Sequence, residues 1–145
     1  MIPDAGVTVR RTISAPPANV YKAWTEPGEL TKWFGPPGYG LATAEVDLRI
    51  GGAYRFGMRK LPDGEPFYVT GQYKELAAPS RVAFTWTWEH SEDVRDSLVT
   101  IDLREVADGT EVILTHSLLP NEKEMESHKS GWSGSLEKLA ATFAS

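Results

Sequence analysis

Two of the chain's three histidines lie where an imidazole could take part in chemistry. His116 interrupts an otherwise apolar alternating pattern, and His128 belongs to an apolar stripe with helical spacing. We therefore expect both side chains to point into the same interior. A buried neutral imidazole can orient a ligand or relay a proton. The alternative is that each histidine is simply hydrogen-bonded within the core.

Other signatures of catalysis or of cofactor binding are missing. The histidines form no H-x-H or H-E-x-x-H motif, and no third ligand converges on them, so we expect no metal. The chain has no cysteine, which excludes disulfides, thiolate metal sites and a cysteine nucleophile. Ser117 and Ser133 lie in no nucleophile-elbow context, and Gly51-Gly52 has no phosphate-binding continuation. We expect no cofactor, and no residue is assigned as catalytic.

Aromatic residues recur at alternate positions of two segments. The chain has five Trp, five Tyr and five Phe, and side chains at every second position of a strand share one face. If these faces meet a long helix, they line a pocket for an apolar ligand. The more common outcome is a filled aromatic core, and a small cavity within such a core satisfies both interpretations. The residues expected to bind a ligand are Tyr54, Phe56, Met58, Phe84, Trp86, Trp88, Ile101, His116, Met125, His128 and Trp132.

Two glycines lie inside the segment predicted as the long helix. Gly131 and Gly134 each cost roughly 1 kcal/mol relative to alanine, so something should compensate. One interpretation is that the missing side chains leave space for a ligand. The other is that the helix packs closely on its neighbours or bends locally. The sequence does not choose between them.

Charge and length exclude several classes of protein. Fifteen Lys and Arg against twenty Asp and Glu give a net charge of −5, and the basic residues are scattered, so nucleic-acid binding is not expected. Arg55 and Arg59 alternate along their strand with the aromatic residues, so their side chains are expected on the opposite face, in solvent. Residues 1–6 do not resemble a signal peptide, and no apolar run suits a membrane span. We expect one cytoplasmic domain, residues 1–145, as a monomer or weak homodimer.

Periodicity predicts one strand, two short helices, six strands and one long helix. Val7 to Ile13 alternates as a strand, and the short helices follow, the second over Pro27 to Trp33. From residue 41 the period changes to two. Because the intervening connections are short, we predict an antiparallel meander. The six further strands are predicted at Ala44 to Leu48, Ala53 to Lys60, Phe67 to Leu76, Arg81 to Glu89, Ser97 to Val106 and Glu111 to Leu119.

The last hairpin can be given a register. If Asp108-Gly109 are the central residues of a two-residue turn, Leu103 faces Leu114, Ile101 faces His116 and Val99 faces Leu118. One face is then apolar except for His116, and the other is mostly polar.

The C-terminal helix is predicted to begin with a capping box. Asn121 is expected to accept a backbone N–H bond while Glu124 reaches back. An apolar stripe then runs from Met125 to Phe143. About 23 residues at about 1.5 Å each give a helix long enough to lie along the sheet.

This order of elements, with particular residues in it, resembles the SRPBCC superfamily of helix-grip folds, which includes START, Bet v 1 and polyketide cyclase relatives. More narrowly, the chain is similar to the family named after the C-terminal domain of the activator of Hsp90 ATPase. Relatives commonly carry a second Trp where this chain has Phe34. The matching segments are Ile13-Ser14-Ala15-Pro16-Pro17, Val20, Ala23-Trp24-Thr25, Leu30, Trp33, Phe34-Gly35-Pro36, Asp47-Leu48-Arg49, Gly51-Gly52, Gly71, Tyr73, Phe84-Thr85-Trp86, Thr115-His116, His128, Gly131-Trp132, Leu136 and Leu139.

The resemblance implies an α+β helix-grip fold, in which a curved antiparallel sheet of about seven strands wraps around the C-terminal helix. Two short helices after the first strand close one end. It also implies an elongated apolar cavity between sheet and helix, with a small hydrophobic molecule as the expected partner.

We consider three alternative functions, each from a different class of protein. The first is a binding protein that holds a hydrophobic or aromatic ligand between the sheet and the long helix. The second is an enzyme resembling polyketide cyclases and aromatases, with His116 or His128 as general base. The third is an interaction module for Hsp90, as the family name suggests, although the chain lacks the additional N-terminal domain of that eukaryotic co-chaperone. We favour the binding protein because the sequence offers no clear acid–base pair.

Overall fold

The computed structural model describes residues 6–90, 92 and 94–143, so residues 1–5 of the segment tested for a signal peptide lie outside the described part. The predicted α+β class and the order of elements are confirmed. The elements are β1 (Val7–Ile13), α1 (Pro17–Thr25), α2 (Pro27–Trp33), β2 (Tyr39–Val46), β3 (Ala53–Lys60), β4 (Phe67–Ala77), β5 (Arg81–Trp88), β6 (Ser97–Val106), β7 (Gly109–Ser117) and α3 (Glu122–Thr142).

The seven strands form one antiparallel sheet in the order β1-β7-β6-β5-β4-β3-β2. From β2 to β7 each strand pairs with the next along the chain, as the predicted meander requires. β1 pairs with β7, and its Val9 faces Leu114. The sheet curls around α3 as a half-barrel, and α3 packs against β1 and α2. The predicted helix-grip arrangement is confirmed.

Strand β2 begins earlier than its periodicity predicted. The prediction started at Ala44, whereas the strand starts at Tyr39, which pairs with Lys60 at the far end of β3. Its register shifts between Leu41 and Thr43, and this irregularity interrupts the period of two. Pairing with the full length of β3 therefore defines the strand.

The predicted register of the β6–β7 hairpin is wrong by two residues. Val106 pairs with Gly109, so Ala107 and Asp108 form the turn. Gly109 has a positive φ of 137°, and a Cβ there would collide with the carbonyl oxygen of Ile13 at the end of β1. Glycine is needed at this close approach. Because the shift is an even number, each side chain keeps its predicted face.

The inner faces of β6 and β7 form the centre of the core. Val99 lies opposite His116 and Ile101 lies opposite Leu114, and all four side chains are fully buried. On the outer face, Arg104 forms an ion pair with Glu111 in solvent. This separation matches the apolar and polar faces expected from the sequence.

Helix α3 starts and packs largely as predicted. The Asn121 side chain caps it by accepting the backbone N–H of Glu124 at 2.9 Å. The Glu124 carboxylate does not complete the predicted capping box but lies 3.6 Å from Nδ1 of His128. Leu136 and Leu139 are buried in the core. In the described part of the chain, no helix is both long and apolar enough to cross a membrane.

Candidate functional site

A pocket of about 350 Å³ lies between the N-terminal half of α3, the loop that follows α2, and the inner face of β3, β4 and β5. Most of its lining is aromatic or apolar, and it opens to solvent on one side. It is lined by Phe34, Gly35, Pro36, Tyr39, Met58, Phe67, Trp86, Trp88, His90, Val94, Glu124, Ser127, His128, Gly131, Trp132 and Ser135.

Three tryptophans form the inner wall. Trp86 and Trp88 alternate on β5 and therefore point to the same face, where their rings meet edge to face at 5.3 Å. Trp132 comes from α3 and lies 5.0 Å from Trp86 between ring centroids. Such edge and tilted contacts are the preferred geometry of aromatic pairs and hold each ring in place. The wall is therefore formed by contacts among the rings themselves, without a ligand.

Phe34 follows the last residue of α2 and joins the pocket to the rest of the aromatic core. Its ring lies 5.7 Å from Trp132 and 5.1 Å from Phe56, both nearly edge to face. Phe34 itself is 2% exposed. Phe34 therefore lies at the boundary between the pocket and the packed core.

The two glycines of α3 serve different purposes. A Cβ built at Gly131 meets nothing within 4 Å, because the residue borders the pocket. A Cβ at Gly134 would lie under 3.0 Å from Cδ of Pro37 and at 3.0 Å from its Cγ. Gly134 therefore permits close packing of α3 on the loop after α2. Of the two interpretations left open by the sequence, open space applies to Gly131 and close packing applies to Gly134.

Of the eleven residues expected to bind a ligand, the structure places five around this pocket: Met58, Trp86, Trp88, His128 and Trp132. The remaining six lie elsewhere. Ile101 and His116 are fully buried in the core, and Met125 is half-buried on α3. Tyr54, Phe56 and Phe84 pack against Trp24, Leu30 and Tyr73 at the other end of the sheet, where no space remains for even a water molecule.

Several residues that line the pocket were not predicted from the sequence. Phe67 carries a usable signal, since it alternates with Val69 and Tyr73 on β4. Tyr39 opens β2 directly after a Gly-Pro segment and His90 follows β5 in a turn, so neither belongs to a long periodic run. Glu124 was assigned to the helix cap. Its carboxylate also borders the pocket, which only the direction of the side chain reveals.

His116 is held as a neutral imidazole by three polar groups. Its Nδ1 accepts the indole N–H of Trp132 at 3.0 Å. The Ser97 hydroxyl donates to the backbone oxygen of Trp86 at 2.7 Å. Nε2 of His116 lies 2.8 Å from that hydroxyl oxygen and must therefore carry the proton and donate it. This network satisfies every polar atom of the ring.

His128 is held in the opposite tautomer. Its Nε2 accepts the indole N–H of Trp88 at 2.9 Å. Its Nδ1 lies 2.8 Å from the backbone oxygen of Glu124, which can only accept, so Nδ1 carries the proton. The rings of His116 and His128 meet edge to face with centroids 4.9 Å apart. Each imidazole lone pair therefore already holds an indole N–H.

Burial keeps both rings uncharged. It lowers the pKa of His116 from 6.5 to about 3, and the nearby His128 adds to this. Burial also lowers the pKa of His128, partly opposed by the backbone oxygen and carboxylate of Glu124. Protonation of either ring would set an N–H against the indole N–H that it now accepts. Both histidines orient tryptophans of the pocket wall and have no lone pair free to accept a proton from a substrate.

Among the described residues, no group of three or more His, Asp or Glu side chains is placed to hold a metal ion. Arg55 binds Glu89 through two hydrogen bonds of 2.8 and 2.9 Å and stacks on the ring of Tyr68. This arginine therefore lies away from the pocket, on the face expected from alternation.

Residues 14–144 match the family model described as activator of Hsp90 ATPase homolog 1-like protein. A solved structure from Chromobacterium violaceum is 30% identical, with a TM-score of 0.84 and coverage of 95% of this chain and 96% of that one. One from Silicibacter pomeroyi, called an AHSA1 protein, is 28% identical with a TM-score of 0.82 and the same coverage. A third, from Nitrosomonas europaea, is 26% identical, covers 94% and 92%, and has a TM-score of 0.77. No curated protein matches the chain.

Proposed function

This chain belongs to the activator of Hsp90 ATPase homolog 1-like family, and we propose that it binds a small hydrophobic or aromatic molecule between the sheet and α3. The observation that carries the proposal is the pocket of about 350 Å³ lined by Trp86, Trp88 and Trp132. Ligand sites are typically concave, mostly apolar and formed before binding, with a few polar groups. The absence of contacts at Gly131 extends the open space to the helix.

The volume of the pocket indicates the size of the ligand. An apolar cavity of about 150 Å³ is enough to bind benzene. A pocket of about 350 Å³ is more than twice as large and suits a molecule of about two aromatic rings. The open side allows a longer substituent to extend into solvent.

We propose binding in preference to catalysis because of the state of the two histidines. A general base must offer a lone pair within reach of the proton it abstracts. The lone pairs of His116 and His128 are occupied by Trp132 and Trp88. The cyclase-like alternative would require these tryptophans to release their histidines first. Orienting tryptophans for a bound ligand requires no such change.

We also propose that residues 1–145 form one domain that works in the cytoplasm. The family match over residues 14–144 supports the single domain. The lack of cysteine is compatible with a reducing compartment.

The test fills the pocket without disturbing the fold. In Gly131→Leu the new side chain enters open space, while α3 gains up to about 1 kcal/mol of helix propensity. We expect two-ring aromatic compounds to change the tryptophan fluorescence of the natural chain. We expect Gly131→Leu to weaken their binding about tenfold or more, since overpacking a filled site costs about 1–3 kcal/mol.

The matched control is Gly28→Leu, which lies on the exposed side of α2 and also meets nothing within 4 Å. It should bind like the natural chain. If no compound binds the natural chain at millimolar concentration, or if Gly131→Leu binds as well as Gly28→Leu, the proposal is wrong.

A further inference from the structure

We propose that the pocket selects ligands that carry a positive charge, and that Glu124 in its lining is their counter-ion. This inference rests on the proposed function, because it names the chemical class of the ligand for the same pocket. It depends on two observations of different kinds. One is the unbalanced charge of the lining, and the other is the set of aromatic rings beside it.

Glu124 supplies the only acidic side chain of the lining, and the lining contains no Lys or Arg among the described residues. Its side chain is 22% exposed, and the nearest basic atom is Nδ1 of His128 at 3.6 Å. That ring is neutral, because Nδ1 donates its proton to a backbone oxygen and Nε2 accepts from Trp88. The carboxylate therefore forms no ion pair with a described cation.

None of the described lysines or arginines lines the pocket. Lys138 is not part of the lining, and its Nζ donates to the backbone oxygen of Tyr39 at 2.7 Å. Arg55 is bound to Glu89 on the outer face of the sheet. Arg95 is exposed in the segment after β5 and does not line the pocket. A ligand carboxylate would therefore approach Glu124 with no lining cation to balance it.

Four rings line the same pocket as this carboxylate and form a continuous series. Tyr39 and Phe67 lie 6.0 Å apart, Phe67 and Trp88 5.6 Å, and Trp88 and His90 5.3 Å between centroids. The electron-rich faces of tryptophan, tyrosine and phenylalanine attract cations, and aromatic enclosures are used to recognise organic ammonium groups. An ammonium on a two-ring ligand would therefore meet ring faces and a carboxylate together.

The experiment compares three probes of nearly the same shape: 2-naphthylmethylamine, which is protonated at neutral pH, 2-naphthylmethanol, and 2-naphthoate. Dissociation constants are measured by titration calorimetry at one pH and ionic strength. We expect the amine to bind about tenfold more tightly than the alcohol, as for a partly desolvated cation–aromatic contact, and the carboxylate to bind more weakly than either.

Two variants identify the counter-ion. Glu124→Gln should lose roughly threefold or more of the preference for the amine over the alcohol, since a partly exposed ion pair contributes up to about 1 kcal/mol. Glu122→Gln removes the same charge from the first turn of α3 but lies outside the lining, so it should keep the full preference. Glu122→Gln therefore controls for the change in net charge and for the lost interaction of an acidic side chain with the helix dipole.

The outcomes separate this inference from the proposed function. If the alcohol binds as tightly as the amine, or the carboxylate binds most tightly, the pocket is a ligand site but its selection of cations is refuted. If the preference persists in Glu124→Gln, Glu124 is not the counter-ion and the inference fails as stated. If none of the three probes binds at millimolar concentration, both proposals fail.

Discussion

Replacing each of the two α3 glycines by alanine should change stability by different amounts, with only Gly131→Ala clearly stabilising. Gly131→Ala adds a methyl group where nothing lies within 4 Å, so it should gain the helix propensity of alanine, about 1 kcal/mol. Gly134→Ala places the same methyl group under 3.0 Å from Pro37. Carbon atoms pack at about 3.5–4.0 Å, so α3 or the loop after α2 must move by about 1 Å.

The expected difference in stability between the two variants follows from the cost of overpacking and the gain in helix propensity. Overpacking of this kind costs about 1–3 kcal/mol, and the same gain of about 1 kcal/mol in propensity offsets part of it. We expect Gly134→Ala to lie about 1–3 kcal/mol below Gly131→Ala in free energy of unfolding. For a chain of this length each kcal/mol shifts the melting temperature by about 3 °C.

Urea and thermal unfolding, followed by far-ultraviolet circular dichroism, measure both variants against the natural chain. Ser133→Ala, on the exposed face of α3 between the two glycines, reports what alanine adds without a change of packing. Equal stabilisation by Gly131→Ala and Gly134→Ala would refute the assignment of Gly134 to close packing. Destabilisation by Gly131→Ala would refute the open space beside Gly131.

Two further predictions concern the buried histidines. His116 has a folded-state pKa of about 3 against 6.5 when unfolded. Its contribution to stability is therefore full above about pH 7.5 and falls as the pH drops, by up to about 1.4 kcal/mol per pH unit between the two pKa values. Urea unfolding at pH 7.5 and 5.0 should therefore differ by about 2 kcal/mol, and a flat profile would contradict the buried neutral state. Trp132→Phe leaves the buried Nδ1 of His116 without its donor and should lower the free energy of unfolding by about 2 kcal/mol or more, measured in the same way; an unchanged value would contradict the hydrogen bond.

The sequence carries enough information for the fold and for the face on which each residue lies. The period of two assigned Val99, Ile101 and His116 to one side of the sheet even though the predicted hairpin register was shifted. In the observed register, Gly109 lies so close to Ile13, nearly a hundred residues earlier, that a Cβ there would collide with its carbonyl oxygen. No local pattern contains that contact.

The position of the pocket along the sheet could not be predicted from the sequence, for a related reason. Alternation places Tyr54, Phe56 and Met58 on the same face of β3, yet only Met58 lines the open pocket. The other two are covered by Trp24 and Leu30 from α1 and α2. Periodicity therefore identifies an inward direction, but which inward residues remain uncovered depends on where the two short helices pack.

The pairing of the first strand with the last has a consequence for the order of events during synthesis. β1 has no partner until β7 has been made, about a hundred residues later. At about 5–20 residues per second, translation leaves β1 waiting roughly 5–20 s. Val9 and Ile13, which become buried against the rest of the core, are without those contacts for this time. The sheet and the helix that it surrounds can therefore be completed only after β7 and α3 have been synthesised.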